Sequence, residues 1–195
     1  MPADKLRTFI AISLPAEIKD FLGRLQEILK VSDADVNWVK KENIHLTLKF
    51  LGERDKKKTE EIIKVMDGIS QKSAGFHLEI ASIGAFPKKE TPRVVWAGLS
   101  KGDKEAKEIA RELENEIAKL GIPKETREFS SHITLGRVRS AKNRMQLVER
   151  LNYLEKNFPA ENPRFKVEKI TLFKSTLTPN GPIYEALYES ILKTN

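Results

Sequence analysis

The hydrophobic positions along the chain switch between two spacings, every second residue and every third or fourth, which are the periods of a strand and of a helix. Arg7-Thr8-Phe9-Ile10-Ala11-Ile12-Ser13 reads as a buried strand. Pro15 suits a first helical turn, and Phe21, Leu22, Leu25, Ile28 and Leu29 carry a helix to Lys30. Asp33 and Asp35 mark a turn before the extended stretch Val36–Val39. A strand opening at Asn43 continues through Phe50 and Leu51 until Gly52 stops it. Arg54–Lys58 reads as a solvated basic turn, ahead of a helix over Thr59–Lys72. Phe76, Leu78, Ile80 and Ile83 alternate as a strand, with His77 on its polar face. Pro87-Lys88-Lys89-Glu90-Thr91-Pro92 is the clearest punctuation in the chain. Beyond it Arg93–Leu99 reads as a strand, and Ile109, Leu113, Ile117 and Leu120 mark a helix over Asp103–Leu120 that Gly121 caps. A strand follows Phe129 and ends at Val138. Met145, Leu147, Val148, Leu151 and Leu154 form a helix, Phe165–Phe173 a strand, and Pro179–Pro182 a turn before a closing strand from Ile183.

Within this order one short pattern occurs twice, His45-Leu46-Thr47-Leu48 and His132-Ile133-Thr134-Leu135. Strand alternation puts the imidazole and the hydroxyl side by side on one face, and the two aliphatic side chains on the other. The offset between the histidines is 132 − 45 = 87 residues. The same offset maps Ile10 to Ala97, Ile12 to Leu99, Leu78 to Phe165, Ile80 to Val167 and Ile83 to Ile170. The chain therefore reads as a single domain over residues 1–195, built from two diverged copies of one unit, with a period too long for a solenoid. Equivalent strands related by a pseudo-twofold axis would bring the two His-x-Thr faces together across a groove.

Composition narrows the chemistry. With 39% hydrophobic and 32% charged residues among 195, the chain reads as a soluble, intracellular domain. It has no apolar run long enough to span a bilayer and no signal-like start. There is no cysteine, which excludes disulfides, thiol nucleophiles and thiolate-bound zinc. The abundance of Lys and Glu is of the kind used by hot-growing organisms. Lys and Arg number 35 against 28 Asp and Glu, and the net charge of +7 suits an anionic partner such as RNA.

Two imidazoles flanking one phosphate form an acid–base pair, since each titrates near neutrality. Thr47 and Thr134 could donate to phosphate oxygens, and the Arg137 guanidinium is a natural clamp for them. Plain alternation puts Arg137 on the face of Ile133 and Leu135, however, so it reaches the phosphate only if the strand bulges or ends at Gly136. Trp38 and Phe9 could stack on a base, although core packing suits both better. Neither tetrad contains the carboxylate or extra histidine of a zinc site. A Gly-x-Ser-x-Gly elbow, a Walker A loop and a Rossmann glycine fingerprint are all absent.

These motifs resemble those of the 2H phosphoesterases, and within them the RNA 2',3'-cyclic phosphodiesterases, also called 2'-5' RNA ligases. The resemblance is carried by His45–Leu48 and His132–Arg137, with Arg7–Ile12 and Leu14-Pro15, Trp38-Val39, Phe50–Glu53 and Pro92–Trp96 around them. Ser130-Ser131 stand where the family often has a proline before the histidine. The resemblance implies a two-lobed α/β (α+β) fold with antiparallel sheets and a central cleft. It implies metal-free, cofactor-free hydrolysis of a terminal 2',3'-cyclic phosphate on RNA, tRNA fragments included, to a 2'-phosphate in the cytoplasm. His45 would be the proton donor and His132 the proton acceptor, with Thr47, Thr134 and Arg137 on the phosphate. Reverse 2'-5' ligation is a second activity of such a site, and a small cyclic nucleotide such as ADP-ribose cyclic phosphate is an alternative substrate. A non-catalytic RNA-end binder is the alternative from another class, and in either case the protein reads as a monomer with no metal or membrane partner.

Overall fold

The computed structural model describes residues 5–159 and 161–194. Its strands are β1 (Leu6–Ser13), β2 (Val36–Trp38), β3 (His45–Arg54), β4 (Phe76–Phe86), β5 (Val94–Lys101), β6 (His132–Val138), β7 (Arg164–Val167), β8 (Lys169–Thr178) and β9 (Gly181–Ile191). Its helices are α1 (Ala16–Lys30), α2 (Lys56–Ser70), α3 (Asp103–Ala118) and α4 (Arg144–Lys156), with a 3-10 turn at Lys41–Asn43. The strands form two antiparallel sheets, ordered β3-β1-β8-β9 and β2-β6-β5-β4-β7. No helix among the described residues is long and apolar enough to cross a membrane.

The expected duplication is present, but the copies are interleaved. β4 belongs by sequence to the first copy, yet it pairs with β5 of the second. β8 belongs to the second copy and pairs with β1 of the first. Each sheet is thus built by both copies, and neither copy could bury its apolar face alone. Ile10 and Ile12 of β1, Leu46 and Leu48 of β3, Ile133 and Leu135 of β6, and the apolar stripes of all four helices are buried. Each such Leu or Ile contributes roughly 1.5–3 kcal/mol. The helices lie over these core faces: α2 packs on β8 and β9, α4 on β4, and α3 on β3 and β5. The opposite faces carry the two histidines, neither of which is fully buried.

Several elements differ from the sequence expectation. The basic stretch Lys56–Lys58 is the first turn of α2, because the Asp55 carboxylate caps it by accepting from the Lys58 N–H at 2.8 Å. The single strand expected over Phe165–Phe173 is two strands in different sheets, broken at Glu168. The constant offset also fails in this region. Leu78 and Phe165, matched by the offset, are hydrogen-bonded neighbours in β4 and β7. The counterpart of Ile83, which faces Ala97, is Leu172, which faces Ile10, because the break at Glu168 shifts the register by two residues.

Candidate active site

Both tetrads end in a β-bulge at the same position. In the β1–β3 pair Ala11 faces Thr47 and Ile10 faces Lys49, so Leu48 is the extra residue. In the β5–β6 pair Trp96 faces Thr134 and Val95 faces Gly136, so Leu135 is extra. A bulge turns the side chains after it to the other face. Arg137, opposite Val94, therefore joins the face of Thr134 and His132. Its counterpart in the first copy, Phe50, joins the face of Thr47 and His45 and is 58% exposed.

The second bulge is held by a side chain from the first copy. The Leu135 carbonyl accepts from the Val39 N–H at 2.9 Å and from Gln26 Nε2 of α1 at 2.8 Å. A methyl group at Gly136 would approach Val36 Cγ1 to 2.6 Å, so only glycine fits there without rearrangement. The first bulge carries Lys49 at the same place. That side chain is fully buried, with its ammonium 2.7 Å from Glu114 Oε1 of α3 in an ion pair that lacks hydrogen-bond alignment. Each copy thus sends one polar side chain from its first helix into the motif strand of the other.

The imidazoles share one orientation. His45 Nδ1 donates to the Asn43 carbonyl at 2.7 Å, and His132 Nδ1 donates to the Ser130 carbonyl at 2.7 Å. In both neutral rings this puts the lone pair on Nε2. Thr47 Oγ1 donates to His45 Nε2 at 2.8 Å, whereas Thr134 makes no such bond to His132 among the described residues. Neither ring is buried away from solvent.

Both imidazoles titrate below the usual 6.5. Desolvation is the main cause in each, partly offset by the bond to the backbone carbonyl. The Lys19 charge lowers His45 further, and the Arg137 charge lowers His132. Arg137 also acts on Tyr184, whose phenol burial pushes above 10 while the Arg137 and Arg7 charges pull it back. Tyr184 packs edge-on against His45, with ring centroids 5.4 Å apart. The Arg137 charge is thus felt both by His132 and by Tyr184, which packs on His45, and β3 packs directly against β6.

The surroundings of the two rings differ. His45 is enclosed by Phe9 at 4.9 Å and Tyr184, beside a cavity of about 120 Å³ that Ser13, Lys19, Glu42 and Phe173 also line. His132 has Phe86 edge-on at 5.0 Å, and Phe86 in turn lies 5.2 Å from Trp96. Of the two aromatic candidates, Trp38 packs on the core, and Phe9 is 4% exposed but touches His45. His77 is exposed on β4, away from both tetrads in sequence and fold. Tyr184, Lys19 and Phe86 escaped the sequence reading, since none sits in a motif. The alternation Pro182, Tyr184, Ala186 was the sole local signal. No group of three His, Asp or Glu side chains suited to a metal occurs among the described residues.

Known proteins match the chain over nearly its whole length. A family model described as LigT like Phosphoesterase matches residues 12–96 and again 99–184, one match to each copy. A protein of Methanocaldococcus jannaschii named RNA 2',3'-cyclic phosphodiesterase is 38% identical over 184 residues, covering 94% of this chain and 99% of its own length. One of the same name from Methanothermobacter thermautotrophicus is 35% identical, covering 92% and 95%. The crystal structure of a Thermus thermophilus protein superposes with a TM-score of 0.77 at 26% identity, covering 96% of this chain and 98% of that one. Escherichia coli LigT complexed with 3'-AMP gives 0.74 at 26% identity, covering 97% and 99%. A family model matched once per copy, on a fold that superposes nearly end to end with solved relatives, makes this chain a member of the LigT-like 2H phosphoesterase family.

Proposed function

We propose that the protein hydrolyses a terminal 2',3'-cyclic phosphate on RNA to a 2'-phosphate, by acid–base catalysis between His45 and His132. One observation carries the reading. Two imidazoles, each with Nδ1 fixed by a backbone carbonyl, sit on β3 and β6, strands that pack against each other, and the bulge after the second puts Arg137 on the face of His132. Neutral His132 takes a proton from water as its oxygen bonds to phosphorus. Protonated His45 gives a proton to the 3' oxygen as the P–O3' bond breaks. Thr47, Thr134 and Arg137 hold the non-bridging oxygens, where charge builds. Exposed Phe50, on the same face, gives the terminal base a stacking platform. A 5'-hydroxyl in place of water, opening the same P–O3' bond, yields 2'-5' ligation.

The names of the relatives support the substrate, and the nucleotide in the Escherichia coli LigT complex supports a nucleotide-sized site. One chain supplies both histidines, so a monomer suffices, and an RNA substrate places the work inside the cell.

The test is turnover of 2',3'-cyclic AMP in EDTA. The reading expects 2'-AMP to form at an undiminished rate, and to vanish with His45→Ala or His132→Ala in folded protein. RNA affinity without turnover would instead favour an end-binding protein.

A further inference from the structure

We infer that Tyr184 is a further substrate-contacting residue, its phenol donating a hydrogen bond to a phosphate oxygen of the bound nucleotide. The inference rests on the proposed reading of the cleft as a phosphate site.

Strand register places the side chain. In the β8–β9 hairpin Ser175 faces Tyr184 and Phe173 faces Ala186, so Tyr184 shares the face of Phe173 and hence of Phe9 and His45. Two edge-on contacts then fix its ring, one on Phe9 at 4.9 Å and one on His45 at 5.4 Å. A ring wedged between these neighbours has little rotamer freedom left to lose on binding.

The hydroxyl is the part that packing does not engage. A partly buried tyrosine normally finds a partner for its O–H. Tyr188, on the same strand, does so by donating to the Asp67 carboxylate at 2.9 Å. The Tyr184 ring is half-buried, but its hydroxyl has no protein partner among the described residues and is not sealed from solvent, so it stays available to a ligand entering the cavity beside His45. It lies instead within the field of two cations, Arg137 from the other sheet and Arg7 from β1. A neutral donor packed against a candidate acid, in the field of two cations, is suited to an anion held at the His45 cavity.

The placement is also secured from outside the ring. Asn43 Nδ2 donates to the Pro182 carbonyl at 2.7 Å, and Asn43 is 8% exposed. Its own carbonyl is the group that orients His45. One residue therefore ties the start of β9 to the turn that aims the imidazole, and Tyr184 arrives at a fixed distance from it.

The decisive variant is Tyr184→Phe, which keeps the ring and its packing and removes only the hydroxyl. Affinity for 2'-AMP and for adenosine would be measured by calorimetry, and turnover with 2',3'-cyclic AMP. We expect 2'-AMP affinity and kcat/KM to fall roughly 10- to 100-fold, the range for losing a hydrogen bond to a charged group. Adenosine affinity should hold, and both limbs of the pH–rate profile should stay in place because His45 keeps its neighbours. Tyr153→Phe, at an exposed position on α4, serves as the unaffected control. A Tyr184→Phe protein within about two-fold of wild type for 2'-AMP overturns the inference, as does an equal loss of adenosine affinity. A wild-type protein that binds 2'-AMP but turns over no cyclic substrate sinks the hydrolytic reading alone. The calorimetric comparison then still decides the role of Tyr184.

Discussion

The two copies of the His-x-Thr unit share a backbone and differ in what they hang on it. Their bulges, imidazole orientations and carbonyl anchors coincide at matched positions, down to Asn43 and Ser130. The side chains after the bulge diverge: Lys49 and Phe50 in the first copy, Gly136 and Arg137 in the second. The first site is closed in by Phe9, Tyr184 and Lys19, whereas the second is more open and carries the guanidinium. A symmetric scaffold can hold two identical rings, but a phosphodiester at the end of an RNA has two different sides. The difference teaches that duplication supplied two like-oriented imidazoles and later divergence gave them unlike surroundings, which on the proposed reading set which ring is acid and which is base.

The largest effect expected from breaking this comparison is loss of either ring. His45→Ala and His132→Ala should each lower kcat by on the order of 10²- to 10⁴-fold. The double variant should be little worse than either single one, because the pair acts as a unit. Full additivity in turnover assays would argue for two independent roles.

Next in size are the residues after the bulges. Arg137→Ala should lower kcat/KM by roughly 10- to 100-fold, through lost charge-assisted bonds to phosphate. Phe50→Ala should cost about 10-fold on a nucleotide substrate, and mainly in KM, as loss of a stacking platform does. Equal losses with the same kcat and KM split at both positions would erase the division of labour.

The tethers between copies should separate in stability rather than activity. Glu114→Ala leaves the Lys49 ammonium buried and alone, and should cost about 3 kcal/mol in chemical denaturation. Lys49→Met, which removes the charge and keeps the volume, should cost less than Glu114→Ala does. The reverse order would mean that the ammonium, not its neutralisation, holds the sheet.

The finest distinction is in pH. Both imidazoles titrate below 6.5, so kcat/KM should peak on the acid side of neutrality. Bound phosphate stabilises both protonated rings, so the kcat optimum should lie higher. Lys19→Met removes a charge that depresses His45 and should move one limb to higher pH, while Arg137→Gln moves the other. If both variants shifted the same limb, the rings would not titrate as assigned. Stability follows the same sign. The folded protein binds fewer protons than the unfolded chain around pH 6.5, so the contribution of these rings is present above that pH and is lost as pH falls.

Much of the fold was legible because it depends on local periods. The helical spacing of Phe21, Leu22, Leu25 and Leu29 and the alternation of both tetrads need no tertiary information, and α1, β3 and β6 follow them. The start of α2 was missed because three lysines read as solvated loop, while the cue was the single Asp55 before them. The break at Glu168 was missed because Phe165, Val167 and Ile170 keep an apolar pattern across a change of sheet, and pattern alone does not report which neighbour a strand pairs with.

By itself the sequence determined the residue types and their doubled spacing, hence two imidazoles, two hydroxyls and the strands that carry them. Which face Arg137 occupies was left to the tertiary structure. A bulge is stable only where its freed carbonyl finds donors, and those donors, Val39 and Gln26, come from the other copy. The arrival of Tyr184 beside His45 was decided in the same way, by β9 closing the sheet begun by β1 and β3. Local periodicity fixes what a strand can offer, whereas long-range hydrogen bonding fixes to whom it is offered.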